Sequence, residues 1–220
     1  IVSIDTITYP VSVIYDAPSK EITTTTEAGA ELILNKIAST VERVLDNDDD
    51  GGILIFLPGE KIIKDCVFKL SHSPFGRRLF ILPLYGRLAK EEQERVFEKP
   101  PIGRKKVVIS TNIAETSVTI SDISTVIDSG LAKLNFYSPR TFTSSLIETS
   151  VSKASCNQRK GRAGRTREGT CYRLYPRNNF EMRPLYTTEE IYRTDLSEVV
   201  LRMSELGITD FYNFDFISPP

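Results

Sequence analysis

The sequence is poor in the side chains that build metal sites and disulfide frameworks. Its 220 residues include one histidine, three cysteines and no tryptophan. The cysteines, Cys66, Cys156 and Cys171, are odd in number and widely spaced, which favours reduced thiols and predicts a cytoplasmic protein. Because His72 stands alone and no CxxC pair occurs, the commonest ligands of zinc are missing and we expect no bound metal.

Long apolar runs and an excess of charge are also absent. No apolar run approaches the roughly 20 residues of a membrane-spanning helix, and no basic-then-apolar leader opens the chain, so we expect no membrane association. The 28 Lys and Arg residues nearly balance the 29 Asp and Glu residues. A chain with a net charge of -1 is not basic overall, so any site for a polyanion must be local.

Two motifs that bind nucleotide phosphates are missing as well. The chain has no G-x-x-x-x-G-K-[ST] loop and no Asp-Glu dipeptide, so it cannot by itself cradle a triphosphate and hold its magnesium. Residues 46–51 begin like a calcium loop, but Leu57 stands at the twelfth position, where such a loop has a glutamate. We interpret these acidic residues as a loop between a helix and a strand.

Apolar runs bounded by glycine or proline alternate along the chain with segments in which apolar residues have helical spacing. The apolar runs predict strands near residues 8–16, 52–57, 78–85, 105–111, 124–130 and 169–176. The helical spacing predicts helices over residues 27–46, 60–71, 90–98 and 195–207. Together they predict an α/β fold with a doubly wound, mainly parallel sheet and helices on both faces. Ligands of such sheets bind at the carboxyl ends of the strands.

Residues 131–150 interrupt this alternation with aromatic, apolar and hydroxyl residues in turn. This pattern predicts a β-hairpin inserted into the α/β domain. We assign residues 1–185 to that domain and residues 186–220 to a C-terminal helix and a linker toward a following domain. Since the first methionine is Met182, we expect the chain to be a segment of a longer protein.

Local positive charge is concentrated in residues 156–169, CNQRKGRAGRTREG. A helix running from about residue 152 would place Gln158, Arg162 and Arg165 on one face, because they are four and three residues apart. Planar guanidinium groups that converge in this way are suited to bidentate contacts with one phosphate. Arg159 belongs to a different face of the same helix.

Two glycines lie among the arginines of this stretch, which also has two other interpretations. Gly161 and Gly164 leave room for a close approach of backbone or ligand. Each also weakens a helix by about 1 kcal/mol, which indicates a non-structural reason for them. Residues 161–164 also fit the GxxG loop of a KH RNA-binding module, although a KH domain does not explain the long α/β frame. The third interpretation is a solvated basic face.

Residues 110–120, STNIAETSVTI, directly follow a predicted buried strand. Hydroxyl groups and backbone N–H groups at such a place commonly contact phosphates, although an ordinary strand-to-helix loop would look similar. Phe97 on its predicted helix is either a core residue or a ring that stacks on a base.

Several long motifs now combine in one order. TNIAETSVTI, VIDSGLAK and SKASCNQRKGRAGR followed by GTCYRLY resemble the second RecA-like domain of DEAH-box ATP-dependent RNA helicases. ILIFLPGEKII and LPLYGRLAKEEQERVFE resemble two earlier motifs of that domain, so the resemblance covers nearly the whole chain. The lysine of QRKGR and the tail RPLYTTEEIYRTDLSEVVL are most similar to the bacterial HrpA type.

The resemblance implies roles in ATP hydrolysis for several residues. Arg162 and Arg165 resemble the arginine fingers that reach the γ-phosphate, and Gln158 resembles the glutamine beside the attacking water. Phe97 resembles the ring that stacks on adenine. The remaining nucleotide-binding candidates lie in or after the SVTI motif and are Ser117, Thr119 and Asp122. The family usually has an acidic residue directly after this motif. This sequence has Ser121 at that position and Asp122 one place later.

The resemblance also implies RNA contacts. The candidates for contacts with the RNA backbone are Thr111, Asn112, Thr116 and Lys160. Lys160 replaces a commoner alanine, and the predicted hairpin matches one that the family places against the RNA path. The TGQ that usually follows the second strand is PGE in this sequence, with Pro58 and Glu60, which is a departure from the family pattern at a neighbouring RNA contact.

As a cofactor the resemblance implies ATP with Mg²⁺, bound mainly by an upstream RecA-like domain that this segment lacks. As partners it implies single-stranded RNA, or an RNA duplex with an overhang, together with upstream and downstream domains of the same chain. We expect the segment alone to be a monomer without ATPase activity. Two alternatives are a stand-alone RNA-binding module without a motor and an activator that supplies arginines in trans to another NTPase.

Overall fold

A computed structural model of the chain describes residues 9–19, 23–47 and 51–219. Its eight strands are β1 (Val11–Tyr15), β2 (Gly52–Phe56), β3 (Leu79–Leu84), β4 (Lys105–Ser110), β5 (Ile123–Asp128), β6 (Leu131–Ser138), β7 (Thr143–Ser150) and β8 (Gly169–Arg173). Six of them form one parallel sheet in the order β1-β8-β5-β2-β4-β3, and β6 pairs with β7 in an antiparallel hairpin. The crossovers between non-adjacent strands confirm the predicted doubly wound α/β fold.

The described residues contain seven α-helices, which are α1 (Glu27–Asp46), α2 (Glu60–Ser71), α3 (Lys90–Glu94), α4 (Ile113–Thr116), α5 (Lys153–Lys160), α6 (Arg177–Met182) and α7 (Ser197–Glu205). The long helix α1 begins where the Thr26 side chain accepts a hydrogen bond from the backbone N–H of Gly29, as an N-cap residue does. The bounds of α1 and α2 are the predicted ones.

The core lies on both faces of the sheet. All five residues of β2 are buried, which explains why this central strand is a continuous apolar run. On one face α1 and α2 pack their apolar stripes against the sheet, with Ile33, Ile37 and Leu70 fully buried. On the other face Ala114 of α4 and Val96 lie in a second buried cluster. The prediction of helices on both faces is therefore confirmed.

The hairpin of β6 and β7 is attached to the domain at its base and on its side. At the base, Nη1 of Arg183 donates to the backbone oxygens of Gly130, 2.9 Å away, and Val151, 3.1 Å away. On the side, the Glu148 carboxylate accepts hydrogen bonds from the backbone N–H of Thr24, at 2.8 Å, and from the hydroxyl of Thr23, at 2.7 Å. These contacts fix the direction in which the predicted hairpin leaves the sheet.

Two predicted helices are shorter in the structure. The helix predicted over residues 90–98 is α3 followed by a single 3₁₀ turn at Arg95–Phe97. The helix predicted over residues 195–207 is α7, which ends before Gly207, whose φ of +80° suits glycine. The Asp195 carboxylate accepts a hydrogen bond from the backbone N–H of Ser197. Asp48, Asp49 and Asp50 of the acidic loop lie outside the described residues.

All three cysteines are buried and free. Burial raises the pKa of the Cys66 thiol to about 12 and also raises the pKa values of Cys156 and Cys171. Among the described residues, no helix combines the length and the apolar character that crossing a membrane requires.

Candidate functional site

The loop after β4 presents hydroxyl and amide side chains outward. Its backbone turns at the edge of the sheet, where the N–H of Thr111 donates to the oxygen of Leu84, 3.1 Å away. The four-residue helix α4 follows. Thr111 is half-buried. Four candidate residues that follow it are exposed, namely Asn112, Thr116, Ser117 and Thr119.

Helix α5 carries the first part of the arginine-rich stretch. Its N-cap is Ser152, whose hydroxyl accepts from the backbone N–H of Ser155. The helix ends at Lys160, so the prediction of one helix continuing to Arg165 is wrong. Beyond Lys160 the chain turns instead of continuing as a helix, and Gln158, Arg162 and Arg165 do not share one helix face.

The reason for this turn is a close approach to the edge of the sheet. The oxygen of Gly164 accepts from the backbone N–H of Tyr9 at 3.0 Å. A Cβ atom at residue 164 would lie 2.6 Å from the Tyr9 oxygen and 2.7 Å from a methyl group of Val11. The predicted close approach of backbone is present at Gly164, and the reason for this glycine is structural, in contrast to the non-structural reason that helix propensity indicates.

Arg159 is the fully neutralised cation of the stretch. It is 1% exposed, its Nε donates to Glu115 Oε1 at 2.7 Å, and its Nη1 donates to Asp128 Oδ1 at 2.8 Å. The same Nη1 also contacts the backbone oxygen of Leu131 at 3.1 Å. Both carboxylates raise the pKa of Arg159 against the lowering effect of burial. The role of Arg159 is therefore to join α5 to α4 and β5.

Arg162 is a buried cation without a carboxylate hydrogen-bonded to it. It is 5% exposed, and its Nη1 donates to the backbone oxygen of Val118 at 2.8 Å while its Nη2 donates to the backbone oxygen of Glu115. Its Nε is one of two buried side-chain polar atoms in the described residues without a hydrogen-bond partner. Burial and the charge of Arg165 lower the pKa of Arg162, and Glu115 partly opposes them.

Three further polar residues lie on the surface near Arg162. Arg165 and Gln158 are exposed, and Lys160 is half-buried. Within the described ranges 9–19, 23–47 and 51–219, Arg165 has no ion-pair partner. The charge of Arg165 contributes to the lowered pKa of Arg162. We call these two guanidinium groups, neither of which is bonded to a carboxylate in the described residues, the positive centre.

The two remaining nucleotide-binding candidates differ in their surroundings. The Phe97 side chain is 58% exposed on its 3₁₀ turn, so its ring is available for stacking on a base. Asp122 is held by Lys106, whose Nζ lies 2.8 Å from Asp122 Oδ2. Lys106 is buried and also donates to the oxygen of Val96 at 3.0 Å. The Phe97 ring is therefore free to contact a ligand, whereas the Asp122 carboxylate is already paired with Lys106.

Sequence reasoning did not assign a role to Glu115, which lies at the centre of these contacts. Its carboxylate accepts from Ser155 Oγ at 2.6 Å and from Arg159 at 2.7 Å. The only sequence signal for such a pair is an acidic residue inside a polar loop and an arginine 44 positions later. Charge alone does not specify that contact, because many such pairs exist in the chain.

The residues around this positive centre do not fit a Mg²⁺ ion. The nearby carboxylates of Glu115 and Asp128 are both bonded to Arg159, and Arg162 and Arg165 would repel a cation. In the part of the chain that the structure describes, no three His, Cys, Asp or Glu residues are grouped as metal ligands.

Comparison with known proteins gives a consistent match. Residues 35–167 match the family described as "Helicase conserved C-terminal domain". The chain is 51% identical over 220 residues to "ATP-dependent RNA helicase HrpA" of Borreliella burgdorferi, covering all of this chain and 26% of that protein. It is 42% identical over 194 residues to "Probable ATP-dependent RNA helicase DHX35" of Homo sapiens, covering 84% of this chain and 28% of that protein.

A solved structure gives the same result for the fold. The crystal structure of Escherichia coli DEAH/RHA helicase HrpB matches with a TM-score of 0.84 and 30% identity, covering 98% of this chain and 26% of that one. The chain thus spans about a quarter of the length of these relatives. The RecA-like fold expected from the resemblance is confirmed. The chain belongs to the helicase conserved C-terminal domain family, and it is the second RecA-like domain in its DEAH-box form.

Proposed function

We propose that this domain supplies Arg162 and Arg165 to the γ-phosphate of an ATP molecule bound mainly by an upstream RecA-like domain of a longer RNA helicase. One observation carries the proposal. Arg159 in the same stretch is neutralised by two carboxylates, whereas Arg162 is bonded only to backbone oxygens, and Arg165, three residues later, is exposed. Burial strengthens the electrostatic attraction of the Arg162 guanidinium for an anion, and the exposed Arg165 guanidinium is free to contact the same anion.

The proposed chemistry is stabilisation of charge that develops on the transferred phosphoryl group. An arginine finger typically contributes about 10³ to 10⁵ in rate, or roughly 4 to 7 kcal/mol. We propose that the exposed Gln158 orients the attacking water and that the Phe97 ring stacks on the adenine. Ser117 and Thr119 would contact the nucleotide from the loop after α4, and Asp122 would do so from its ion pair with Lys106.

The loop after β4, helix α4 and the last residue of α5 supply the proposed RNA contacts. Thr111, Asn112, Thr116 and Lys160 would bind the RNA backbone, which gives little sequence preference. The exposure of Asn112 and Thr116 supports this role. RNA contacts on α4 and ATP contacts beside it would then share one structural element, as a motor that couples ATP hydrolysis to movement along RNA requires.

The proposal extends to the rest of the longer protein. We propose that residues 1–185 form the motor domain, with the hairpin beside the RNA path, and that residues 186–220 lead to a following domain. Mg²⁺ would be held mainly by the upstream RecA-like domain. The protein would act in the cytoplasm on single-stranded RNA or on an RNA duplex with an overhang. The isolated segment would be a monomer without ATPase activity.

The test uses the full-length protein with Arg162→Ala and Arg165→Ala, each compared with Arg167→Ala. Arg167 carries the same charge two residues beyond Arg165 and is exposed, so it controls for a general loss of positive charge. We expect the first two variants to lose about 10³-fold or more in RNA-stimulated ATP hydrolysis while RNA binding stays nearly intact. The control is expected to keep its ATPase rate.

Other outcomes point to the two alternatives. An equal loss of ATPase activity and RNA affinity in both variants would identify these arginines as RNA ligands, as in a stand-alone RNA-binding module. Stimulation of a separate NTPase by the isolated segment, lost in Arg165→Ala, would identify an activator in trans.

A further inference from the structure

Glu115 connects two parts of the candidate site through one residue. Its side chain binds α5, because Oε2 accepts from Ser155 Oγ at 2.6 Å and Oε1 accepts from Arg159 Nε at 2.7 Å. Its backbone oxygen binds the Arg162 guanidinium. A shift of the Glu115 backbone would therefore move the acceptor of the Arg162 guanidinium directly, with no other side chain between them.

The helix that carries Glu115 depends on such contacts for its position. Helix α4 has only four residues, and its N-cap residue Asn112 makes no side-chain capping bond. A helix this short is not stable by itself. Ala114 packs its inner side into the second buried cluster, and Glu115 ties it to Arg159, which is held in turn by Asp128 of β5 at 2.8 Å. A continuous series of bonds thus runs from the sheet through α5 and α4 to Arg162.

We propose that Glu115 is a positioning residue that holds the Arg162 guanidinium in its working orientation through the backbone of α4. The inference rests on the proposed function of Arg162. The Glu115 carboxylate is engaged with Ser155 and Arg159, so it does not act on ATP itself. Asn112, the N-cap residue of this short helix, and Thr116, its last residue, are exposed. An RNA backbone bound to them would therefore act on the position of Arg162 through Glu115.

The test is a double-mutant cycle in the full-length protein, with Glu115→Ala, Arg162→Ala and the double variant. Single-turnover release of labelled phosphate gives the rates, and RNA-stimulated kinetics give kcat and KM. We expect Glu115→Ala to lower kcat about 10- to 100-fold, as a misplaced catalytic group does, with the KM for ATP changed less than about 2-fold. In the Arg162→Ala background the same change is expected to cost less than about 2-fold, because Glu115 acts through Arg162.

Two further variants complete the design. Glu115→Gln keeps the length and one oxygen of the side chain, so we expect it to recover most of the lost kcat. Asp16→Asn removes a carboxylate paired with Lys36 and Arg43, outside the proposed catalytic contacts, and is expected to keep kcat within about 2-fold of the wild-type value. If Glu115→Ala does not fold, the cycle is measured with Glu115→Asp, which keeps the charge but shortens the side chain by one methylene group, and the same lack of additivity is expected.

The outcomes separate the two proposals. Losses that multiply in the double variant would overturn the positioning role, because they would mean that Glu115 acts independently of Arg162. A wild-type hydrolysis rate in Arg162→Ala alone would instead overturn the proposed function. A fall in KM or RNA affinity for Glu115→Ala without a change in kcat would also contradict the positioning role.

Discussion

Replacing Arg159 by methionine removes the cation shared by two carboxylates. Asp128 is fully buried, and Glu115 has a side-chain exposure of 11%. Methionine fills much of the volume of the arginine stem and keeps some contact with the Phe56 ring, over which the guanidinium lies at 4.9 Å. The main loss is therefore the charge and its hydrogen bonds rather than the packing.

The size of the effect follows from the carboxylates that remain. Removing one partner of a buried ion pair costs about 3 to 5 kcal/mol, because the other charge stays buried without compensation. The Tyr175 hydroxyl at 2.8 Å and the Gly130 N–H at 2.8 Å still donate to Asp128, which keeps the loss within that range. For a domain of this size, such a loss lowers Tm by roughly 6 to 20 °C.

Urea unfolding of the isolated domain, followed by circular dichroism, measures this change. Arg177→Met is the matched control, because it removes an arginine from an exposed pair with Glu181, which is worth less than about 1 kcal/mol. An Arg159→Met variant within about 1 kcal/mol of the wild type would refute the reasoning, since two buried carboxylates would then tolerate the loss of their cation.

Two smaller predictions concern other contacts. Gly130→Ala is expected to destabilise the domain by more than about 1 kcal/mol in urea unfolding, because φ is +71° and the new Cβ would lie 2.5 Å from ring carbons of Tyr175; unchanged stability would contradict this. Burial acts to raise the pKa of Asp16, but Lys36 and Arg43 lower it below 3.8 overall. The stability that Asp16 contributes is therefore present above pH 3.8 and is lost as pH falls through the folded pKa. The difference in unfolding free energy between the wild type and Asp16→Asn is expected to shrink as the solution is made acidic. A difference that stays constant with pH would contradict this prediction.

The regular elements of the fold could be predicted because their signals are local. The apolar spacing in residues 27–46 gave α1 with its observed bounds, since one face of that helix packs on the sheet. The run GILIF gave β2, which is buried on both faces. Neither inference needs knowledge of which elements are neighbours. The order of the strands in the sheet does depend on which elements are neighbours, and no local pattern in the sequence specifies those neighbours.

The candidate site could be predicted only in part for the same reason. Gln158, Arg162 and Arg165 were identified from their spacing and from the resemblance, but the helix assumed to align them ends at Lys160. The cause is the close packing of Gly164 on Tyr9, which lies more than 150 positions away in the chain. Glu115 was missed because its partner Arg159 reaches it only in the folded domain.

The central claim is that Arg162 and Arg165 act on the γ-phosphate of ATP. The most direct measurement is the affinity of the full-length protein, with RNA present, for ADP with aluminium fluoride, which imitates the transferred phosphoryl group. We expect Arg165→Ala to bind this analogue about 10³-fold more weakly than the wild type while ADP alone binds equally well. An unchanged affinity for the analogue together with a loss of RNA affinity would contradict the claim.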